Sequence, residues 1–70
     1  MEFKEKFEEI LSRRRTTKPS VAKQMGMPES TFRFKSVELK RWNVVEFFRL
    51  AKLLQLTDLE INCLLSDLLD

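Results

Sequence analysis

The sequence predicts an all-α fold, in which the whole chain, residues 1–70, forms one compact domain of five short helices. Apolar residues recur three and four positions apart in several segments, which is the period of a helix that packs one face on a core. Two segments open with capping boxes, Asn43-Val-Val-Glu46 and Thr57-Asp-Leu-Glu60. Only one glycine and two prolines interrupt the chain, and each stands where a helix would end or begin.

The first helix is predicted over residues 3 to about 14, because its apolar residues share one face: Phe3, Phe7, Ile10 and Leu11. Thr17 can cap a second helix, predicted from residue 18 to about 25. Pro19 falls in the first turn of that helix, where a missing N–H goes unused. The cationic run Arg13 to Arg15 is either the solvated end of the first helix, favourable to its dipole, or a contact for a polyanion.

A tight turn joins the second helix to a third, predicted from about residue 28 to 36. Ala22 lies where the two helices would cross, and its small side chain lets their axes approach. Gly26 stands where the chain needs a left-handed residue, and Pro28 suits the first turn that follows. Phe32 and Phe34 point about 200° from one another on a helix, so only one of them can enter the core. The residues alone leave open which one it is.

Residues 37 to 42 show no clear period and are predicted to form a loop, with Trp42 covering the core beneath it. The fourth helix follows the Asn43 cap and is predicted to bury one set of apolar residues: Val44, Phe47, Phe48, Ala51 and Leu54. The fifth follows the Thr57 cap and carries a second apolar stripe: Ile61, Leu64, Leu65 and Leu68. The predicted architecture is therefore five helices and no strand.

The composition excludes most catalytic chemistry. One cysteine, Cys63, and no histidine leave no intramolecular disulfide, no Cys/His zinc site and no His-dependent nucleophile. A single glycine cannot form a Gly-rich phosphate loop. We therefore expect no enzyme activity, no catalytic residue, no metal, no cofactor and no small-molecule ligand. No apolar run is long enough for a membrane span or a signal core, so we expect a cytoplasmic protein.

Charge is distributed unevenly along the chain. All 13 Lys and Arg lie in residues 1–56, whereas residues 57–70 contain four acids and no base. Residues 13–41 carry nine cations against only two acids, Glu29 and Glu38, a net charge of +7. A positive excess of this kind over one segment predicts a surface that binds a polyanion such as nucleic acid.

Residues 18–35 carry a family resemblance. Val21-Ala22 and Met25-Gly26-Met27, followed by Ser30-Thr31-Phe32, resemble the helix-turn-helix of the phage lambda repressor and Cro family, also called the Xre-type family of bacterial regulators. The apolar pattern from Val44 to Leu56 is similar to the fourth helix of that family, so the resemblance covers nearly the whole chain. It implies a lambda-repressor-like domain with the helix-turn-helix in helices 2 and 3, and a dimer that reads double-stranded DNA.

The resemblance also implies roles for particular residues. The third helix would lie in the major groove, with five residues at the base edges: Glu29, Ser30, Thr31, Arg33 and Phe34. Arg33 would donate to guanine, and Phe34 would contact thymine methyl groups. Glu29 would accept from cytosine or else serve as a helix N-terminal charge. Phosphates would be bound by residues of the second helix, of the end of the third helix and of the segment that follows it: Lys18, Lys23, Lys35, Lys40, Arg41 and Asn43.

Self-association is expected through the last helix. Seven of the eleven residues from 59 to 69 are apolar, more than one core-facing stripe requires. Leu59, Cys63 and Leu69 are left over, and we predict that they form a weak homodimer interface between two-fold-related copies of helix 5. The alternative function is a protein-binding module of the same fold, such as an anti-repressor or an antitoxin-like adaptor, which the acidic Glu29 and apolar Phe34 favour.

Overall fold

The computed structural model describes residues 2–66, and this part of the chain is helical, without a strand. The α-helices are α1 (Phe3–Arg13), α2 (Lys18–Gln24), α3 (Glu29–Lys35), α4 (Val44–Leu54) and α5 (Asp58–Leu65). A single 3-10 turn, Leu39–Arg41, lies between α3 and α4. The all-α prediction of five helices is confirmed over these residues. The Cα radius of gyration is 11.0 Å, the value for a packed chain of this length.

The predicted helix caps are all formed. Thr17 Oγ1 accepts a hydrogen bond from the Ser20 N–H at 3.3 Å. In both capping boxes the bonds are reciprocal. The side chains of Asn43 and Thr57 each accept a hydrogen bond from the backbone N–H of the glutamate three residues later, and the carboxylate of that glutamate accepts one from the backbone N–H of the cap residue. These caps place the first residues of α2, α4 and α5 where the sequence predicted them.

The core is centred on three aromatic rings. Phe7 and Phe32 have ring centroids 5.8 Å apart, and Trp42 meets Phe32 edge to face at 5.7 Å. Phe32 is completely buried, whereas Phe34 is 60% exposed, which resolves the alternative left open by the sequence. Trp42 covers the core as predicted, and its buried indole N–H has no hydrogen-bond acceptor among the described residues.

The buried face of α4 agrees with the sequence prediction only in part. Val44 and Phe48 were expected in the core, but they are 70% and 67% exposed. The buried stripe is instead Phe47, Leu50, Ala51 and Leu54. Phe48 and Leu50 are two positions apart and point to opposite sides of the helix, so burial of Leu50 turns Phe48 outward. Val44 lies on the correct side but in the first turn, where it remains open to solvent.

The segment between α3 and α4 is more ordered than the predicted loop. Its 3-10 turn buries Leu39 and leads directly into buried Trp42. Two buried residues three positions apart suit a 3-10 turn, in which residues at that spacing lie on one side. The prediction of a plain loop was wrong because three residues are too few for a visible period.

Arg14 connects α1 to both C-terminal helices. Its guanidinium donates to the two carboxylate oxygens of Glu60 at 2.7 and 2.6 Å. It also donates to the carbonyl oxygens of Leu54 and Gln55, at the end of α4. The hydrogen bonds from Arg14 to the carboxylate, followed by the hydrogen bond from the Thr57 backbone N–H, lower the pKa of Glu60 to about 2. Arg14 is therefore part of the fold, and the cationic run Arg13 to Arg15 is not simply a solvated helix end.

Candidate nucleic-acid interface

The turn between α2 and α3 is closed by backbone hydrogen bonds. The Met27 N–H donates to the Ala22 carbonyl oxygen at 2.9 Å, and the Gly26 N–H donates to that of Lys23 at 3.1 Å. Gly26 has a φ of +70°, in the left-handed region, while a Cβ at this position would meet no atom within 4 Å. Glycine is therefore favoured here by backbone conformation and not by space. Ala22 is buried, as its predicted place at the crossing of the two helices requires.

The solvent side of α3 is formed by four of the five residues predicted to read bases: Glu29, Ser30, Arg33 and Phe34. Thr31, the fifth, is half-buried, and Phe32 and Ser36 face the core. Residues at positions i, i+1, i+4 and i+5 share one side of a helix. The predicted readers thus form a continuous exposed face, which we call the α3 face (Glu29, Ser30, Arg33 and Phe34).

Arg33 is held by Glu29 one helical turn earlier. Its Nε donates to the Glu29 carboxylate at 2.8 Å, and both side chains are about half exposed. The two Nη groups of Arg33 make no hydrogen bond to the described residues. Both Nη groups are therefore available to a ligand, while the Glu29 carboxylate holds the Nε.

Phe34 is held by Arg41 from the segment after α3. The Arg41 guanidinium lies 4.1 Å from the Phe34 ring centroid, a cation–π contact. The same side chain donates to the Phe34 carbonyl oxygen at 2.9 Å and pairs with Glu38 at 2.8 Å. Arg41, predicted to bind phosphate, thus also fixes one side of an exposed aromatic ring.

Lys35 and Asn43 connect α3 to α4. Lys35 forms an ion pair and hydrogen bond with Glu46, and this hydrogen bond is the main reason that the pKa of Glu46 is lowered. Asn43 caps α4 by accepting from the Glu46 N–H at 2.7 Å. Both residues, predicted as phosphate contacts, are engaged within the fold, and together they fix the end of α3 against the start of α4.

The other predicted phosphate contacts differ in their freedom. Lys18 pairs with Glu8 at 3.3 Å and its side chain is mostly covered. Lys40 pairs with Glu38 at 3.4 Å but is largely exposed. Lys23 is exposed and has no acid within ion-pair distance among residues 2–66. Lys23 and Lys40 are therefore the two side chains most able to meet a phosphate.

Ion pairs reduce the charge of the basic segment. Of its nine cations, seven form ion pairs with described residues, and only Arg15 and Lys23 do not. Three of the acids involved, Glu8, Glu46 and Glu60, come from outside residues 13–41. The +7 of the segment is thus an upper bound on the positive charge that this surface presents.

The residues predicted for self-association lie at the surface where they are described. Leu59 is 81% exposed and Cys63 is also exposed, while Leu69 lies outside the described residues. Residues 2–66 contain no cluster of Cys, Asp and Glu side chains that could hold a metal ion. Within the same range no helix has the length and apolarity to cross a membrane.

The chain matches no protein-family model, no curated protein and no solved structure. The functional argument therefore depends on the geometry of the α3 face and its surroundings.

Proposed function

We propose that this protein is a sequence-specific double-stranded DNA-binding transcriptional regulator that inserts α3 into the major groove. The observation that carries the proposal is the α3 face. It presents exposed polar, charged and aromatic side chains on a short helix that is held in place at both ends. The turn at Gly26 holds its beginning, and the Lys35–Glu46 and Arg41–Phe34 contacts hold its end. A braced helix supports specific reading, because little conformational entropy is lost when it enters the groove.

Arg33 is the main base-reading residue in this proposal. Its two Nη groups can donate together to O6 and N7 of one guanine. Glu29 then acts as a positioning residue, since its bond to Nε at 2.8 Å restricts the guanidinium plane without using the Nη donors. Phe34 supplies an apolar contact to a thymine methyl group, and Lys23 and Lys40 bind phosphates on either side of the groove.

The test begins with selection of bound sites from random duplexes, followed by anisotropy titrations of the selected and a scrambled duplex. Arg33→Ala is expected to weaken the selected site by about 1 to 3 kcal/mol and to relax the preference at one base pair. Lys40→Ala is expected to weaken both duplexes alike. Lys4→Ala, which removes an exposed cation of α1 outside this surface, is the control and should change neither. Equal losses on both duplexes for Arg33→Ala would contradict base reading.

The variant Glu29→Gln tests whether Glu29 positions Arg33 or contributes only its negative charge. Removing a negative charge beside DNA should raise affinity for the scrambled duplex, because phosphate repulsion falls. Because Arg33 is no longer held by Glu29, the ratio of the affinity for the selected duplex to the affinity for the scrambled duplex should fall at the same time. A ratio that stays constant would leave Glu29 as a helix-terminal charge only.

A second candidate is a protein-binding module that uses the same α3 face. The observation that favours it is apolar: Phe34 is 60% exposed, exposed Val37 follows α3, and most nearby cations are already paired. Affinity for DNA falls linearly with the logarithm of salt concentration, whereas an apolar protein contact is nearly insensitive to salt. Failure to bind any duplex at low salt would favour this second function.

A further inference from the structure

One side of α4 is apolar and exposed, and we call it the α4 patch (Val44, Val45 and Phe48). These side chains are 70%, 65% and 67% exposed, although residues of this kind usually lie in a core. Positions 44, 45 and 48 fall within about 100° of one another around a helix, so the patch is continuous. A contiguous apolar patch on a small protein indicates a site of interaction and not a solvated face.

An apolar groove of about 280 Å³ borders the α4 patch, between the 3-10 turn, α4 and α5. Val44 and Phe48 belong to both the patch and the groove. The other apolar side chains that line the groove are Leu39, Trp42, Phe47, Ala51, Ile61 and Leu65. Among residues 2–66, no acidic side chain lines it. A concave apolar surface of this kind can enclose single side chains of a partner.

Two cations without a partner lie beside the α4 patch. Arg49 directly follows Phe48, Lys52 follows it by one helical turn, and both are exposed. Neither side chain forms a hydrogen bond or an ion pair with the part of the chain that the structure describes. The charged residue that lines the groove, Lys40, is also a cation and is largely exposed. Apolar side chains among free cations complement a partner that carries both apolar and acidic groups.

The α4 patch lies on the opposite side of α4 from the contact with α3. Glu46, the acid of α4, pairs with Lys35 at the end of α3. Positions 46 and 48 are about 160° apart around a helix. A partner that covers Phe48 therefore leaves the α3 face open.

We propose that the α4 patch and its groove bind an acidic segment of another protein. An apolar side chain of that segment enters the groove beside Phe48 and Trp42, and its carboxylates pair with Arg49 and Lys52. Nucleic acid fits this surface less well, because solvated phosphates gain nothing from three large apolar side chains. A membrane also fits less well, because apolar residues that enter a lipid surface protrude, whereas part of this surface is concave.

Selection of displayed random peptides, about 16 residues long, tests the surface with a defined probe. The wild-type protein is the bait, and Phe48→Asp is used to remove peptides that bind elsewhere. The selected peptides are expected to carry large apolar residues and more Asp and Glu than Lys and Arg. The selection and its follow-up need no DNA, so this proposal and the proposed function can fail separately.

Titration of a selected peptide without tryptophan measures its affinity. Trp42, the single tryptophan of the chain, lines the groove, so its emission should change and saturate. Phe48→Asp and Val44→Asp should each weaken binding by more than about 10-fold, because each places a charge in an apolar contact. Val37→Asp, at an exposed apolar residue outside the groove, is the control and should leave the affinity unchanged. Circular dichroism verifies that each variant is folded.

Charge reversal tests the acidic character of the partner. Lys52→Glu and Arg49→Glu should each weaken the selected peptide several-fold, and a peptide with Lys in place of its acids should recover most of that loss. Lys4→Glu, at an exposed cation of α1, changes the net charge equally and should have a much smaller effect.

Three results would overturn the proposal. The first is a selection that returns no peptide dependent on Phe48, or peptides richer in Lys and Arg than in acids. The second is Phe48-dependent binding of vesicles that contain phosphatidylserine, which would identify a membrane surface. The third is Phe48-dependent self-association in sedimentation equilibrium, which would make a second copy of this chain the occupant.

Discussion

The ion pair between Arg14 and Glu60 makes the stability of the fold depend on pH in a defined range. Glu60 is mostly covered, accepts from Arg14 with both oxygens and from the Thr57 N–H, and has its pKa lowered from 4.5 to about 2. A carboxylate whose pKa is lower in the folded state stabilises the fold above its unfolded pKa. That stabilisation is lost as the pH falls from about 5 towards 2.

The size of this contribution to the free energy of unfolding follows from the pKa shift of Glu60. Each pKa unit corresponds to about 1.4 kcal/mol, which gives about 3 kcal/mol for Glu60 as an upper bound. Because the pair lies at the edge of the fold, where solvent and salt screen it, we expect about 1 to 2 kcal/mol. Glu60→Gln should therefore lower the free energy of unfolding by this amount at pH 7 and by almost nothing near pH 2.

Urea unfolding monitored by circular dichroism between pH 7 and 2.5 measures the difference directly, and urea avoids the screening that a guanidinium salt would add. The exposed Glu5, changed to Gln, serves as the control because its side chain makes no hydrogen bond or ion pair with the described residues. A wild-type minus Glu60→Gln difference that is independent of pH would refute the reasoning. It would show that the substitution acts through packing or the capping box and not through the charge.

Three further predictions concern backbone conformation, helix packing and the α3 face. Gly26→Ala should destabilise the fold by about 1 kcal/mol, because the φ of Gly26 is +70°. Gln55→Gly, at a residue whose φ is 52°, should stabilise the fold slightly. Thermal melts of both variants test this pair, and melting temperatures that shift in the same direction would contradict it. Ala22→Leu should cost about 1 to 3 kcal/mol through overpacking at the α2–α3 crossing, and an unchanged melting temperature would mean that the crossing tolerates a larger side chain. Replacing thymine by uracil in a selected DNA site should weaken wild-type binding at one position but leave Phe34→Ala unaffected; sensitivity retained in the variant would show that Phe34 does not contact the methyl group.

Local features of the chain were predictable from the sequence. The starts of α2, α4 and α5 depend on side chains that bond the backbone N–H three residues later, so Thr17, Asn43 and Thr57 identify them without tertiary information. The end of α2 just before Gly26 is likewise predictable from one residue, because Gly26 adopts the left-handed conformation that follows many helix ends. The apolar stripe of α1 was predicted fully because one helix face carries all four of its buried residues.

Only the tertiary structure decided which of two similar residues enters the core and which acids meet the cations. Phe32 and Phe34, or Phe48 and Leu50, are equally apolar, and the choice depends on how each helix is rotated against its neighbours. Glu8, Glu46 and Glu60 lie 10 or more positions from the cations that they bind, so no local pattern reveals that they reduce the charge of the basic segment. An apolar groove of about 280 Å³ beside Phe48 is also invisible in the sequence, since its walls come from the 3-10 turn, α4 and α5, which meet only after folding. Helix ends are set by hydrogen bonds between residues that are close in the sequence, whereas burial and ion pairing are set by contacts between residues that are distant in it.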